Sequence, residues 1–359
     1  MCRAALAWHE TRGIPIAGGL CVTHVMPEAS LAPVDIIIGD HPTPGVRSSA
    51  AAAILGAYVA ARINTDDRVL VLLSGGTSAL IGAPRQEMSL AEYGATTEAL
   101  LSSGLSIQQI NRQRRHLSRW GGGRLGEALQ SRGAAVDVLT ISDVLGDDLA
   151  SIGSGPCIPD HVDPATMIPH QVISNNRAAR QAVVTQARAQ GLTATAIDEP
   201  LQGDVTLTAE RIVLALLTHA SQARSGSASR APLLFCWGGE PTVTLTGMDA
   251  PPGGRMQALA LHIAQRLHEA GDDARGITVL AAGTDGRDGA TDAAGAIVDA
   301  QTWSGLRAIS RTPERDLAAF RSHDALAALR VLIPSFASGT NVNDLVIALV
   351  QRDEHAASR

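Results

Sequence analysis

The chain contains no lysine: all 29 basic residues among its 359 are arginine. Chemistry that depends on a lysine amine is therefore not available to it, and cationic work falls to guanidinium groups. Cysteine is also scarce. Cys2, Cys21, Cys157 and Cys236 lie far apart and form no Cys-x-x-Cys pair, which suggests neither a zinc site nor a disulfide framework and fits a reducing cytoplasm. No apolar run approaches the ~18 residues of a membrane-spanning helix. His9, Glu10 and Arg12 follow the start too soon for a secretory apolar region, so no signal peptide is expected. A basic surface is missing as well. With a formal charge of −6 and a pI near 6.0, general nucleic-acid binding is excluded, because it needs positive charge to release counterions.

What is present is globular. Hydrophobic residues make up 45% and charged residues 18%, and the length suffices for two domains with full cores. Short β-branched runs alternate with longer amphipathic stretches. Strands are predicted at 34–38, 68–73, 136–141 and 193–197, with helices at 48–62, 89–102, 106–117, 124–130 and 175–190. That alternation is the signature of a doubly wound, mostly parallel α/β sheet, Rossmann-like in layout. Ser225-Gly226-Ser227-Ala228-Ser229 reads as a boundary or surface loop. Beyond it, strands at 232–235 and 241–246, broken by Trp237-Gly238-Gly239-Glu240, precede a helix at 256–270 and strands at 277–281 and 295–298. Adjacent strands without an intervening helix predict a second, smaller α/β domain with a mixed sheet. The expected domains are 1–228 and 229–359.

Several stretches could carry chemistry. Leu73-Ser74-Gly75-Gly76-Thr77-Ser78 is a strand–glycine turn–helix element suited to cradling an anion with backbone N–H groups. It matches neither the P-loop nor the dinucleotide fingerprint. Ser142-Asp143-Val144 and Gly146-Asp147-Asp148 place carboxylates at the end of a strand, where open α/β sheets bind ligands; Asp143 could be a base toward a hydroxyl or hold a metal. Arg112 to Arg119 is the densest basic cluster, with Arg115 and Arg119 on one helical face. The 283–295 loop, with Asp285, Asp288 and Asp292 among glycines, suits Mg²⁺ with phosphate.

Taken in order, these stretches resemble the glycerate 2-kinase family, which joins a DUF4147-type domain to a MOFRL domain. The matching pieces also include Gly39-Asp40-His41-Pro42-Thr43-Pro44, Gly121-Gly122-Gly123-Arg124-Leu125, Ser154-Gly155-Pro156, Ser174-Asn175-Asn176, Gly238-Gly239-Glu240, Gly253-Gly254-Arg255 and Gly339-Thr340-Asn341-Val342-Asn343-Asp344. The resemblance implies ATP- and Mg²⁺-dependent phosphorylation of D-glycerate, or a related hydroxy acid, at its 2-hydroxyl, in a cleft between the domains. Asp143 and Arg255 would be catalytic. Ser74 to Ser78, Arg115, Asn175, Glu240, Thr340, Asn341 and Asn343 would bind substrate or phosphate. Asp285, Asp288 and Asp147 would hold metal. The expected partner is a small molecule, with neither nucleic acid nor membrane, and a homodimer is the candidate assembly. Alternative readings are a non-catalytic ligand-binding member and, below it, a hydroxypyruvate reductase, a label some members carry.

Three differences from the family pattern stand out. The family opens with a strand ending in a Gly-x-Gly-Lys-Ala turn, whose lysine is held to be catalytic. Met1–Leu20 resembles the helix after that turn, so the first strand is expected to be missing. Met256-Gln257-Ala258 replaces the usual Asn-Gln-Glu, which would remove two polar groups from the site. Arg115 stands where lysine is usual.

Overall fold

The computed structural model describes residues 1–351 except 86–87, 102, 104–106, 161–166, 226–231 and 246–250. The 226–229 part of the expected boundary stretch thus lies outside the described residues. Internal contacts divide the chain into two compact units, Met1–Ile173 and Ser174–Arg359.

In the first unit, β1 (Gly19–Thr23) pairs in parallel with β2 (Val34–Ile38). A three-stranded sheet follows, in the order β3 (Arg68–Leu73), β4 (Ala135–Ile141), β5 (His170–Ser174), with β3 and β4 parallel. The Val46–Arg62 helix begins where the Asp40 carboxylate accepts the N–H groups of Arg47 and Ser48, satisfying donors that a helix start leaves open. Its alanines let neighbours approach closely: Ala51 and Ala52 are fully buried, and the Trp120 indole N–H reaches the Ala52 carbonyl at 2.9 Å. Val59, Leu73, Leu125, Val136 and Val138 complete the core.

The second unit holds a seven-stranded mixed sheet. Its strands are β6 (Thr193–Ala196), β7 (Leu201–Asp204), β8 (Leu233–Thr242), β9 (Ile277–Gly283), β10 (Ala293–Asp299), β11 (Leu332–Pro334) and β12 (Asp344–Val350). The order is β11-β10-β9-β12-β8-β6, with β7 also on β8. β12 runs antiparallel to both β8 and β9, while β6 and β7 are parallel to β8. Burial alternates along β9 and β12, as a half-buried strand requires. One face packs on the Val205–Ser225 and Arg255–Glu269 helices. The latter buries Met256, Leu259, Ala260, Ile263, Ala264 and Leu267 at helical spacing; burying a large apolar side chain contributes roughly 1.5–3 kcal/mol. Val184 and Ala187 of the Asn176–Ala189 helix pack with Ala194, Leu234 and Cys236.

One expectation changes. Residues 233–242 form one strand, not two broken at Trp237–Glu240. The glycines continue the ladder, because a Cβ at Gly239 would strike the Leu201 carbonyl at 2.2 Å, and the bare backbone lets β7 pair there. The division by internal contacts falls after Ile173. Residues 174–228 contribute β6, β7 and the Val205–Ser225 helix to the second unit's sheet and core. Among the described residues no helix is long and apolar enough to cross a membrane.

Candidate active site

The first unit gathers several motifs around the turn after β3. The Asp143 carboxylate sits directly on Gly75: a Cβ there would lie 1.7 Å from Asp143 Oδ2, so only glycine admits it. Gly76 follows in the left-handed region at φ 82°. The helix beyond, Thr77–Leu80, is four residues long, too short to add a sizeable helix dipole. Its hydroxyls are engaged locally. Thr77 Oγ1 donates to the Ser74 carbonyl at 2.8 Å, and Ser78 Oγ shares a 2.8 Å hydrogen bond with Ser154 Oγ. The turn's capacity for an anion therefore rests on its backbone N–H groups.

The same structure redirects Arg115. Its side chain is 9% exposed, and its guanidinium donates to the Ala150 and Ile158 carbonyls at 3.2 and 2.8 Å and pairs with Asp160 at 3.0 Å. Those bonds tie the 150–160 segment down, so the fork is not presented to a ligand. Arg124 likewise donates to the Arg115, Ser118 and Arg119 carbonyls at the end of the Ile107–Leu117 helix. Gly122 and Gly123 donate to the Ser154 and Gly155 carbonyls, both at 2.9 Å. The basic motif and Ser154-Gly155-Pro156 thus form one framework beside the turn.

The second unit brings Glu240, Arg255, Asn343 and Asp344 together at one edge of its sheet. Asp344, first residue of β12, is paired with Gly239 of β8 and Gly283 of β9. Arg255 Nε meets Asp344 Oδ2 at 2.6 Å and Nη2 meets Oδ1 at 3.3 Å, while Nη1 reaches Glu240 Oε1 at 2.9 Å. Asn343 Nδ2 donates to Glu240 Oε2 at 3.2 Å. Burial pushes the Asp344 carboxyl up to about 6; Arg255 acts against that, and Asp288 and Glu240 add to it. Burial alone would lower the Arg255 pKa, but the Asp344 hydrogen bond and charge turn the shift upward. The Arg255 side chain is 36% exposed, and two of its five N–H donors remain for a ligand carboxylate or phosphate.

Within the second unit, Asp285 and Asp288 serve backbone roles. Asp288 is buried, and its two oxygens accept the Met256 and Gln257 N–H groups at 3.0 and 2.8 Å. It caps the Arg255–Glu269 helix, with its pKa raised by burial. Asp285 Oδ1 accepts the Arg287 N–H at 2.9 Å. Asp147, at φ 56°, belongs to the other unit. Among the described residues no group of three His, Cys, Asp or Glu could hold a metal ion, so a cation cage built from protein alone does not fit.

Other expected binders shape backbone instead. Asn175 Oδ1 caps the following helix through the Ala178 N–H at 2.8 Å. Asn341 Oδ1 accepts the Asn343 N–H at 3.0 Å, and Thr340 exchanges hydrogen bonds with Ser338. Asp344 and Asn176 were not singled out from sequence. Asn176 Nδ2 bonds the Val342 and Asp344 carbonyls at 2.9 and 3.1 Å; its signal was its place beside Asn175 in a matching stretch. Met256 is fully buried and Ala258 is partly buried against the same core, so both departures from Asn-Gln-Glu contribute apolar packing.

Comparison with known proteins bears on both units. The family described as Domain of unknown function (DUF4147) matches residues 1–190, and the MOFRL family matches 233–344. The D-glycerate 2-kinase of Thermotoga maritima is 34% identical, over 97% of this chain and 88% of that protein. The glycerate 2-kinase of Pyrococcus horikoshii is 31% identical, over 94% and 82%. A putative hydroxypyruvate reductase of Agrobacterium vitis is 32% identical, over 92% and 81%. The crystal structure of the Thermotoga maritima glycerate kinase matches with a TM-score of 0.82 at 32% identity, over 97% of this chain and 88% of that one.

Proposed function

The chain belongs to the glycerate 2-kinase family, and we propose that it transfers the terminal phosphoryl group of ATP, delivered as its Mg²⁺ complex, to the 2-hydroxyl of D-glycerate, giving 2-phosphoglycerate and ADP. The observation that carries this reading is the Asp143 carboxylate seated on Gly75 of the phosphate-type turn. It puts a proton acceptor beside a backbone suited to phosphate. The hydroxyl oxygen attacks the phosphorus, the bond to ADP breaks, and the hydroxyl proton passes to Asp143. Arg255, held by Asp344 and Glu240, offers its remaining donors to a carboxylate or phosphate. Mg²⁺ arrives with the nucleotide. Positioning and charge neutralisation supply most of what phosphoryl transfer needs. The four free cysteines agree with a cytoplasmic setting.

The test is ADP release by the purified chain with D-glycerate, ATP and Mg²⁺, with the product examined by phosphorus NMR. Glycerate-dependent release, with the phosphorus coupled to the C2 proton, is expected. Absence of release from a folded sample, or phosphate on C3, would overturn the reading. NADH oxidation with hydroxypyruvate would favour the reductase instead.

A further inference from the structure

Gly76, the second glycine of the turn, also has a side chain packed on it. A Cβ there would lie 3.0 Å from both Cδ2 and Nε2 of His41. The segment that carries His41 is packed at both ends against the far end of the short helix that follows the turn. A Cβ at Gly39 would meet the Leu80 carbonyl oxygen at 2.4 Å, and one at Gly82 would meet Pro44 Cβ at 2.4 Å. The Gly39 N–H is bound to the Thr23 carbonyl at 2.9 Å, and the neighbouring Asp40 is fixed by Arg47 and Ser48. The imidazole is therefore placed by backbone on each side. It is not sealed in: with Asp40, Thr43 and Arg47 it lines a shallow, open concavity. The His24 ring lies 5.4 Å away between centroids. Partial burial, then the charge of His24, hold the His41 pKa below the ordinary histidine value. At neutral pH the ring is uncharged and offers one N–H donor and one acceptor.

We infer that His41 is a further substrate-contacting residue, whose Nε2 hydrogen-bonds an oxygen of the phosphoryl group held at the Gly75–Gly76 turn. The two adjacent glycines then serve two contacts, Asp143 on Gly75 and His41 on Gly76. A fixed donor aimed at phosphoryl oxygen stabilises charge as it develops, without reorganising. The inference rests on the kinase reading for the identity of that phosphoryl group.

The experiment compares wild type, His41→Leu and His41→Gln in D-glycerate turnover, and follows the histidine ring signals by ¹H–¹⁵N NMR as the Mg²⁺ complex of a non-hydrolysable ATP analogue is added. His41→Leu is expected to lower kcat roughly 10²-fold, as loss of one preorganised donor does, with the melting temperature unchanged. His41→Gln, which keeps a side-chain N–H, should recover part of the loss. The ring signal absent from His41→Leu should move with the triphosphate analogue. A His41→Leu enzyme within twofold of wild type in kcat and KM would overturn the inference, and so would a ring signal that stays still at saturating analogue. Should wild type bind the analogue with that shift yet fail to turn over glycerate, the kinase reading falls and the His41 contact stands.

Discussion

Asp344 is 5% exposed at its side chain, and its pKa is pushed up to about 6 because burial outweighs the guanidinium of Arg255 on its two oxygens. Its folded pKa lies above the unfolded value of 3.8, so the native state binds this proton more tightly than the unfolded chain does. The resulting stabilisation is present at acid pH and is lost as pH rises from the unfolded value through about 6. On the proposed role of Arg255, activity runs the other way, since the ionised carboxylate holds the guanidinium more strongly than the neutral carboxyl does. The unfolding free energy of wild type minus that of Asp344→Asn is therefore expected to fall across pH 4 to 6 and to level above it, as read by urea melts; a flat difference would refute the assignment. Asp344→Asn removes one charged hydrogen-bond partner, an interaction of about 1.5–3 kcal/mol, or roughly 10–100-fold in kcat/KM for glycerate. The rise in KM should exceed the fall in kcat, and an unchanged KM would show that Arg255 needs no such support. Asp344 was visible in sequence as the end of the Gly339–Asp344 stretch. Its role was not, because its partner Arg255 is 89 residues away and no local spacing joins them.

Elements that the hydrophobic pattern marks strongly, such as β3, β4 and the Arg255–Glu269 helix, were legible within a residue or two. Elements defined by distant pairing were not. Trp237-Gly238-Gly239-Glu240-Pro241 looks like a break, yet β8 runs through it by exchanging its neighbour. Residues 193–196 pair with 233–236, and residues 201–204 pair with 239–242. The Val205–Ser225 helix was overlooked although Val205, Ala209, Ile212, Val213, Leu216 and Ala220 make a buried stripe at helical spacing. The turn after β3 was recognisable as an anion-type element, but which side chains approach it depends on packing. A test follows at this scale. Gly75→Ala would place a methyl where Asp143 Oδ2 lies, 1.7 Å from the ideal Cβ, and no positive φ is involved at that residue. The carboxylate must move, and a shift of about 1 Å can cost roughly 10²-fold in rate. We expect kcat to fall by about that factor while the melting temperature changes little; full activity would remove Asp143 from the turn.

For the whole molecule, the composition of the second unit decides how much chain can fold alone. A boundary after Ala228 follows the polar stretch, but it would strip the later residues of β6, β7 and the Val205–Ser225 helix. β8 would lose its parallel partners and become an edge strand of the sheet, with its N–H and C=O groups open to other chains. The core would lose Val205, Ala209, Ile212, Val213, Leu216 and Ala220, all buried. Even at the low end of about 1.5 kcal/mol per large apolar side chain, the four larger ones together outweigh much of a typical domain's 5–15 kcal/mol. Residues 174–359 are therefore expected to fold as an isolated fragment with a single cooperative thermal transition by circular dichroism. Residues 229–359 are expected to aggregate or to melt without cooperativity. A cooperative 229–359 fragment would place the boundary where the sequence suggested it and make the 174–228 segment an accessory to that sheet, whereas failure of both fragments would mean that the second unit depends on the first to fold.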